Sequence, residues 1–308
     1  MILTVCMSPC IDVNIELNSL NVGKTNVLKS KSLSYGGKAL NVAIGAKRLG
    51  EEVFVTGVNY TENGFAFEKT LSDEGVRFDF ARAQGRAREN YKFIDQRSML
   101  TEVNDVGAEV PSQVLKEVLG KIRALSKRAS VVVLSGSLPR GVEATFYSEM
   151  VRAIDDRCIK IVDASGQKMV EALKEGVDLV KPNVQELENT LGMRINSKRS
   201  IIDGCRELIG RGAKNVLLSL GEEGAVITNG RDFFQAKTIN VAVNSTVGAG
   251  DAMVAAVAIK MQKGAPLPEM LRAGVAAGTA RVSTFEKTSF SVDKYEEIYK
   301  TVKINEYF

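Results

Sequence analysis

The loop from Ser245 to Asp251 joins two glycines and an acidic residue to an apolar, Ala-rich run. Gly248 and Gly250 permit backbone conformations that other residues avoid, so successive amides can converge on one point. The first amides of a helix lack internal partners, and with the helix dipole they favour an anion such as a phosphate. This loop therefore predicts an anion site at a helix N-terminus.

Asp251 falls in the first turn of that predicted helix. A carboxylate beside an anion site would repel the ligand, so we interpret Asp251 as a general base that accepts a hydroxyl proton. Helix capping is the alternative, because Asp is a good capping residue. The chain contains no His, so acid–base chemistry must come from Asp, Glu, Lys, Tyr or Cys.

A pair of glycines precedes a second predicted helix, on which Lys38 and Asn41 share one face. With Gly37 they offer backbone donors, a cation and an amide to a ligand. The segment is not a Walker loop, because Ser32 stands where the first Gly belongs and Ala39 where Ser or Thr would bind magnesium.

Polar side chains on two extended segments suit a sugar phosphate. Asp12, after the first strand, could accept hydrogen bonds from a polyol, or it is an ordinary exposed strand residue. Arg88, Asn90 and Lys92 alternate onto one strand face, where two cations and an amide would suit an anionic sugar phosphate. A solvated strand face is the alternative for this segment.

Two further turns follow predicted strands. Asn183 and Glu186 lie three residues apart at a helix start, where both could face a metal ion or its water, or form a capping pair. The segment Ser219–Gly224 is a Gly-bearing turn between strands that could simply close a hairpin.

Composition excludes several classes of protein. The net charge of +4 and the lack of long like-charge runs argue against nucleic-acid binding. No uninterrupted apolar window approaches the 18 residues that a membrane span needs, and the N-terminus lacks the features of a signal peptide. The four Cys are scattered, which favours incidental thiols over metal ligands and a cytoplasmic location.

Strands and helices alternate regularly after residue 110, which predicts a largely parallel sheet covered on both faces. Helices are expected at 142–155 and 251–263, and a strand at 233–243. Two-faced strands at about 12–35 and 86–104 interrupt the earlier part of the chain. We find no linker, so residues 1–308 are expected to form one domain.

Taken in chain order, five segments resemble the ribokinase family of sugar kinases, also called the phosphofructokinase B group. They are Gly36–Asn41, Leu134–Pro139, Lys181–Glu186, Ser219–Gly224 and Thr246–Asp251. Arg88, Asn90, Lys92 and Thr101–Asn104 further resemble the branch that phosphorylates sugars already carrying a phosphate, 1-phosphofructokinases and tagatose-6-phosphate kinases. The departures are Ala39, Ala252 and the Met7–Pro9 segment, and the first and last lie near the expected sugar site.

The resemblance implies an α/β fold, a three-layer α/β/α sandwich around a mostly parallel sheet, with the two-faced strands as a lid that often clasps a second subunit. It implies that Asp251 is the base, that Gly248, Ala249 and Gly250 form the anion hole, and that Asn183 and Glu186 hold magnesium through water. The nucleotide residues implied are Lys181, Asn183, Ser219, Gly221, Gly224, Thr246, Gly248 and Gly250. The sugar and its phosphate would be held by Asp12, Gly37, Lys38, Asn41, Arg88, Asn90, Lys92 and Ser137.

The implied reaction is transfer of the γ-phosphoryl group of ATP, with Mg²⁺, to a ketohexose phosphate. Fructose 1-phosphate is the expected substrate, and tagatose 6-phosphate or fructose 6-phosphate are alternatives. A kinase for an unphosphorylated sugar would leave the cations without a partner. A non-catalytic sugar-phosphate or nucleotide sensor would have no need of Asp251. An oxidoreductase is disfavoured because the dinucleotide Gly fingerprint is missing.

Overall fold

A computed structural model describes residues 1–97, 99–239, 241–242, 244–284 and 289–307. The strands are β1 Ile2–Cys6, β2 Cys10–Leu17, β3 Leu28–Gly36, β4 Val53–Tyr60, β5 Arg77–Ala83, β6 Arg88–Ile94, β7 Leu100–Asn104, β8 Val131–Ser135, β9 Ile159–Asp163, β10 Val177–Val180, β11 Ala213–Ser219, β12 Ala225–Thr228, β13 Phe233–Ala236 and β14 Ile304–Glu306. The helices are α1 Lys38–Arg48, α2 Phe65–Asp73, α3 Ser112–Ser126, α4 Phe146–Ala153, α5 Gln167–Leu173, α6 Val184–Leu191, α7 Lys198–Gly210, α8 Ala249–Gln262, α9 Leu267–Ser283 and α10 Val292–Thr301.

Within these residues one sheet has ten strands, in the order β14-β13-β12-β11-β10-β9-β8-β1-β4-β5. Every pair from β11 to β5 is parallel, and β12, β13 and β14 add antiparallel strands at the other edge. The chain builds outward from β1 in both directions, so β1 and β8 form the point where the strand order reverses. Ligands of open α/β sheets bind beyond the carboxyl ends of the strands at this point.

Two groups of helices cover the large sheet and bury its strands. Helices α1, α8 and α9 pack together, with α10 against α9, while α3, α4 and α5 form the second group. All five residues of β1 and of β8 are buried. Helix α8 is apolar around almost its whole circumference, as expected of a helix enclosed by other elements. The predicted three-layer α/β/α fold class is confirmed.

Four strands form a separate sheet in the order β3-β2-β6-β7, which we call the lid sheet. Strands β2 and β6 are parallel neighbours, and β3 and β7 pair antiparallel on the outside. Its strands come from the two segments that the sequence marked as two-faced. That this sheet acts as a lid, and that residues 1–308 form one domain, remain predictions.

Some predicted boundaries were wrong. The strand expected at 233–243 ends at Ala236, and residues 240 and 243 lie outside the described part. The helix expected at 142–155 covers Phe146–Ala153 only. Strands β5 and β14 were not anticipated, because one mixes polar and apolar residues and the other is three residues long. Among the described helices, none has both the length and the apolar character that crossing a membrane would take.

Candidate active site

Asp251 lies in the first turn of α8, whose N-cap residue is Gly248. Gly248 has φ of 82°, in the left-handed region that suits glycine. The Asp251 side chain makes no capping bond; Asn41 Nδ2 donates to its Oδ2 at 2.8 Å. The residue is 6% exposed. A buried carboxylate held by a neighbouring amide fits a base better than a cap.

Burial raises the pKa of Asp251 to about 6, and the nearby charge of Asp163 pushes it in the same direction. Lys38, the Asn41 hydrogen bond and Lys181 oppose this rise. The carboxylate is therefore ionised at neutral pH, yet it binds a proton more strongly than an exposed Asp does. Such a pKa suits a general base that works near pH 7.

Asp163, the last residue of β9, was not predicted as a site residue. It is fully buried, and its Oδ1 lies 3.3 Å from Lys38 Nζ and 3.3 Å from Lys181 Nζ. Ser135 Oγ donates to its Oδ2 at 3.1 Å. Burial alone would raise the pKa of Asp163, but the two lysines outweigh it and lower the pKa. The sequence signal was available, because Asp163 ends a buried parallel strand.

Lys38 points towards carboxylates. Its Nζ lies 3.3 Å from Asp163 Oδ1 and 3.5 Å from Glu186 Oε1. Loss of hydration lowers the pKa of Lys38, but the charges of Asp163, Glu186 and Asp251 reverse this and raise it. The sequence placed Lys38 with Arg88 at the sugar phosphate, and that role stays a prediction, since here the side chain joins the Asp163 cluster.

A second polar cluster lies on the lid sheet. Parallel pairing of β2 with β6 sets Asp12 opposite Asn90. Lys92 Nζ lies 3.0 Å from Asp12 Oδ2, and Asn90 Nδ2 donates to Asp12 Oδ1 at 3.2 Å. Arg88 donates to Asn90 Oδ1 at 2.8 Å and to Ser8 Oγ at 3.1 Å. All the side chains that the sequence placed on this strand face therefore belong to one connected network.

A small cavity lies between the lid sheet and the starts of α1 and α8. Its lining includes Asp12 from the lid sheet, Gly37 and Asn41 from the start of α1, and Gly248 from the loop before α8. Because Asn41 also holds Asp251, a ligand in this cavity lies next to the candidate base. The cavity thus joins the predicted sugar residues to the predicted base.

A larger cavity of about 790 Å³ lies beside the N-terminus of α8. Of the predicted nucleotide residues, all except Gly248 line it, namely Lys181, Asn183, Ser219, Gly221, Gly224, Thr246 and Gly250. A Cβ at Gly250 would lie 3.0 Å from Lys181 Nζ, so glycine permits this close approach. The lining also includes apolar residues that the motifs did not reveal, among them Ile239, Val241, Met253 and Val275. This size and mixed lining suit a nucleotide.

Asn183 and Glu186 form a capping box at the start of α6. Asn183 Oδ1 accepts from the Glu186 amide at 2.7 Å, and Glu186 Oε2 accepts from the Asn183 amide at 2.9 Å. The capping alternative therefore holds for this pair. Among the described residues no group of three or more His, Cys, Asp or Glu could hold a metal ion. The side-chain oxygens of Asn183 and Glu186 would fit a magnesium ion that keeps several of its waters and also binds substrate phosphates.

Comparison with known proteins identifies the family. The family description "pfkB family carbohydrate kinase" matches residues 4–294. A 1-phosphofructokinase of Haemophilus influenzae is 31% identical over 92% of this chain and 91% of its own. A tagatose-6-phosphate kinase of Staphylococcus epidermidis is 28% identical over 99% of this chain and 100% of its own.

Solved structures agree with this match. Phosphofructokinase-2 from Escherichia coli, in complex with potassium, has a TM-score of 0.90 at 27% identity, covering 97% of this chain and 98% of that chain. The family resemblance seen in the sequence is thereby confirmed, together with the ATP-dependent phosphotransferase activity that it implied. The chain belongs to the pfkB family of carbohydrate kinases.

Proposed function

We propose that this kinase phosphorylates the free primary hydroxyl of a ketohexose phosphate, with fructose 1-phosphate as the preferred substrate and fructose 1,6-bisphosphate as the product. The observation that carries the proposal is the hydrogen-bonded network of Arg88, Asn90 and Lys92 around Asp12, because Asp12 lines the small cavity together with Asn41, the hydrogen-bond partner of Asp251. Lys92 is paired with Asp12, whereas Arg88 donates to the neutral groups of Ser8 and Asn90, so a neutral sugar would bring Arg88 no anionic partner. The two named relatives act on such phosphates, and tagatose 6-phosphate is the alternative substrate.

The chain's own residues account for the proton step. Asn41 occupies Oδ2 of Asp251, which leaves Oδ1 to accept the proton of the substrate hydroxyl. As the proton moves to Asp251, the hydroxyl oxygen attacks the γ-phosphorus of ATP and the bond to the ADP oxygen breaks. The raised pKa of Asp251 makes it a stronger base than an exposed Asp would be.

The negative charge of the transferred group meets the start of α8. The Ala249 amide donates to the Thr246 carbonyl at 3.3 Å, so within the described structure the amides of Gly248, Gly250 and Asp251 are left for an anion. Lys181, whose Nζ lies close to Gly250, adds a positive charge. These fixed donors stabilise developing charge without reorganising during the reaction.

We assign magnesium to the edge of this site, where Asn183 and Glu186 would hold it through water. When bound, the ion would neutralise phosphate charge. Lys38 lies 3.5 Å from Glu186 Oε1 and 3.3 Å from Asp163 Oδ1 and so helps to orient the Glu186 carboxylate. Carboxylate oxygens, several waters and the substrate phosphates are the usual ligands of Mg²⁺.

We further propose that the lid sheet closes over the sugar and forms a homodimer contact. Its outer residues include exposed apolar side chains such as Leu33 and Val103. Exposed apolar surface of this kind marks an interaction site. A reducing, cytoplasmic location fits the four free, buried thiols of Cys6, Cys10, Cys158 and Cys205.

The test is ADP release by the purified protein with ATP and Mg²⁺. The sugars compared are fructose 1-phosphate, tagatose 6-phosphate, fructose 6-phosphate, free fructose and free ribose. Turnover confined to the phosphorylated ketoses is the expected result, with fructose 1-phosphate giving the highest kcat/KM. Turnover confined to free sugars would overturn the proposal. ATP binding without turnover on any sugar would favour a sensor instead.

A further inference from the structure

A cavity of about 510 Å³ lies between the segment that leaves the lid sheet and the loop that follows β8. Ser8 and Arg88 contribute to it from the sugar network, and Ser137 from the loop. Arg140 and Lys168, which no sequence motif singled out, also line it. Because Arg88 also donates to Asn90, this cavity continues from the sugar network.

The charges around this cavity are unbalanced. Asp105 is the carboxylate in its lining, and its two oxygens accept from the backbone amides of Gly107 at 3.1 Å and Glu89 at 3.4 Å. Arg140 has a loose ion pair with Glu109 at 3.5 Å. Lys168 forms no ion pair with any described residue. Three cations thus face one space whose carboxylate is already engaged by amides.

The position of the cavity indicates which anion it takes. Asp251 and Asn41 define the reacting end of the sugar site, and Asp12 and Asn90 lie further along it. Beyond Asn90 comes Arg88, whose guanidinium is shared with the cavity. A phosphate on the terminal carbon opposite the reacting hydroxyl would therefore extend past Arg88 into this space.

We infer that Arg140 and Lys168, with Arg88 and Ser137, form the pocket for the phosphate already on the substrate, and so set the preference for phosphorylated sugars. The inference rests on the proposed function. Arg140 supplies planar, paired donors that match phosphate oxygens, and Lys168 supplies a point charge. Both side chains act on substrate binding and lie apart from Asp251, so they affect KM more than kcat.

The experiment compares Arg140→Met, Lys168→Met and the double variant with wild type. Each single variant should raise the KM for fructose 1-phosphate about tenfold, with kcat and the KM for ATP unchanged. Arg152→Met is the matched control. The Arg152 side chain is 59% exposed and pairs with Glu175 at 3.3 Å, and the Arg140 side chain is similarly 61% exposed and pairs with Glu109. The control should leave all constants unchanged. Inorganic phosphate should inhibit wild type competitively with the sugar phosphate, and more weakly in the double variant.

The results separate this inference from the proposed function. One outcome would overturn the inference alone. In it, wild type uses sugar phosphates, but Arg140→Met and Lys168→Met have the same KM for fructose 1-phosphate as the control Arg152→Met. Inhibition by inorganic phosphate that is not competitive would also overturn it, because the cavity would then be a separate anion site. Wild type that uses only free sugars would overturn the proposed function and the inference with it.

Discussion

The candidate active site has a floor, formed by Lys38, Asp163, Lys181 and Asp251, that is built differently from the lid sheet. On the floor, charged groups end buried strands or begin buried helices, and Asp163 and Asp251 are almost completely enclosed. On the lid sheet Asn90 and Lys92 of the polar face are each 8% exposed, while Val103, on an outer strand of the opposite face, is 56% exposed. A half-buried sheet ordinarily hides its apolar face and exposes its polar one. The lid sheet departs from this rule in covering Asn90 and Lys92 and exposing Val103, although Val13 at the centre of its apolar face is buried.

We propose that this difference separates catalysis from substrate selection. The floor groups are fixed by packing and by each other's charges, so they are ready for the transition state. The lid groups pair with one another in Asp12, Asn90 and Lys92, and they must exchange some of these bonds for a sugar phosphate. We therefore expect floor variants to change kcat and lid variants to change KM.

The largest effect is expected for Asp251→Asn on the floor. Asn cannot accept the hydroxyl proton, so kcat should fall on the order of 10²–10⁴-fold. ATP binding should persist, because the Gly250 amide and Lys181 are retained. Steady-state kinetics and nucleotide titration measure both. Asp293→Asn, which changes an Asp in the first turn of α10, is the control and should keep wild-type kcat. Turnover of Asp251→Asn within a few-fold of wild type would remove it from the mechanism.

Arg88→Ala should have the next largest effect, on the lid. Loss of a charge-assisted hydrogen bond to the substrate should raise the KM for the sugar phosphate about 10- to 100-fold. The KM for ATP should stay constant. Arg86→Ala is a close control, since Arg86 lies two residues earlier, is 64% exposed and faces Glu62 and Glu89. Equal increases in both KM values for Arg88→Ala would contradict the separation of lid from floor.

The pH dependence of the rate tests whether Asp251 is the base. The pKa of Asp251 is raised to about 6, so the base is lost to protonation as the pH falls through that value. The rate should fall about tenfold per pH unit on the acid side. A substrate phosphate also titrates near pH 6, so the profile of one enzyme is not diagnostic.

Asp163→Asn resolves this ambiguity. Removing the Asp163 charge lowers the pKa of Asp251, so the acid limb should move to lower pH while the substrate's titration stays in place. The maximal rate of this variant will also fall, because Lys38 and Lys181 lose their shared partner. An acid limb at the same pH as wild type would mean that Asp251 is not the titrating group.

The same contrast explains what the sequence revealed. Most strands and helices of the large sheet follow from their apolar patterns, with β5 and β14 as exceptions, and the candidate base follows from the glycine loop before Asp251. Asp163 was missed because its importance comes from contacts with Lys38 and Lys181, which are distant in sequence. The sequence assigned Lys38, together with Arg88 and Lys92, to the sugar phosphate. A motif predicts the position of a residue in the fold, but it does not determine which neighbours the side chain contacts.

The smallest effect on activity is expected from the exposed face of the lid sheet. Strand register places Leu33, Val13, Tyr91 and Val103 in one row across its four strands, in which Leu33 and Val103 on the outer strands are exposed and Val13 is buried. This row lies on the face opposite Asp12 and Asn90, so changes there do not touch the sugar site directly. Contact between two copies of this face would bury the exposed side chains of Leu33 and Val103.

Val103→Lys should therefore shift the protein from dimer to monomer in sedimentation equilibrium, while the kcat measured at high protein concentration stays within about threefold of wild type. Phe65→Lys is the control, because Phe65 is exposed on α2, outside the lid sheet, and should leave the assembly unchanged. Wild type that is monomeric at assay concentrations would exclude this face as a dimer contact. A drop in kcat as large as that of Asp251→Asn would instead show that the lid takes part in the chemical step, and the separation between lid and floor would no longer hold.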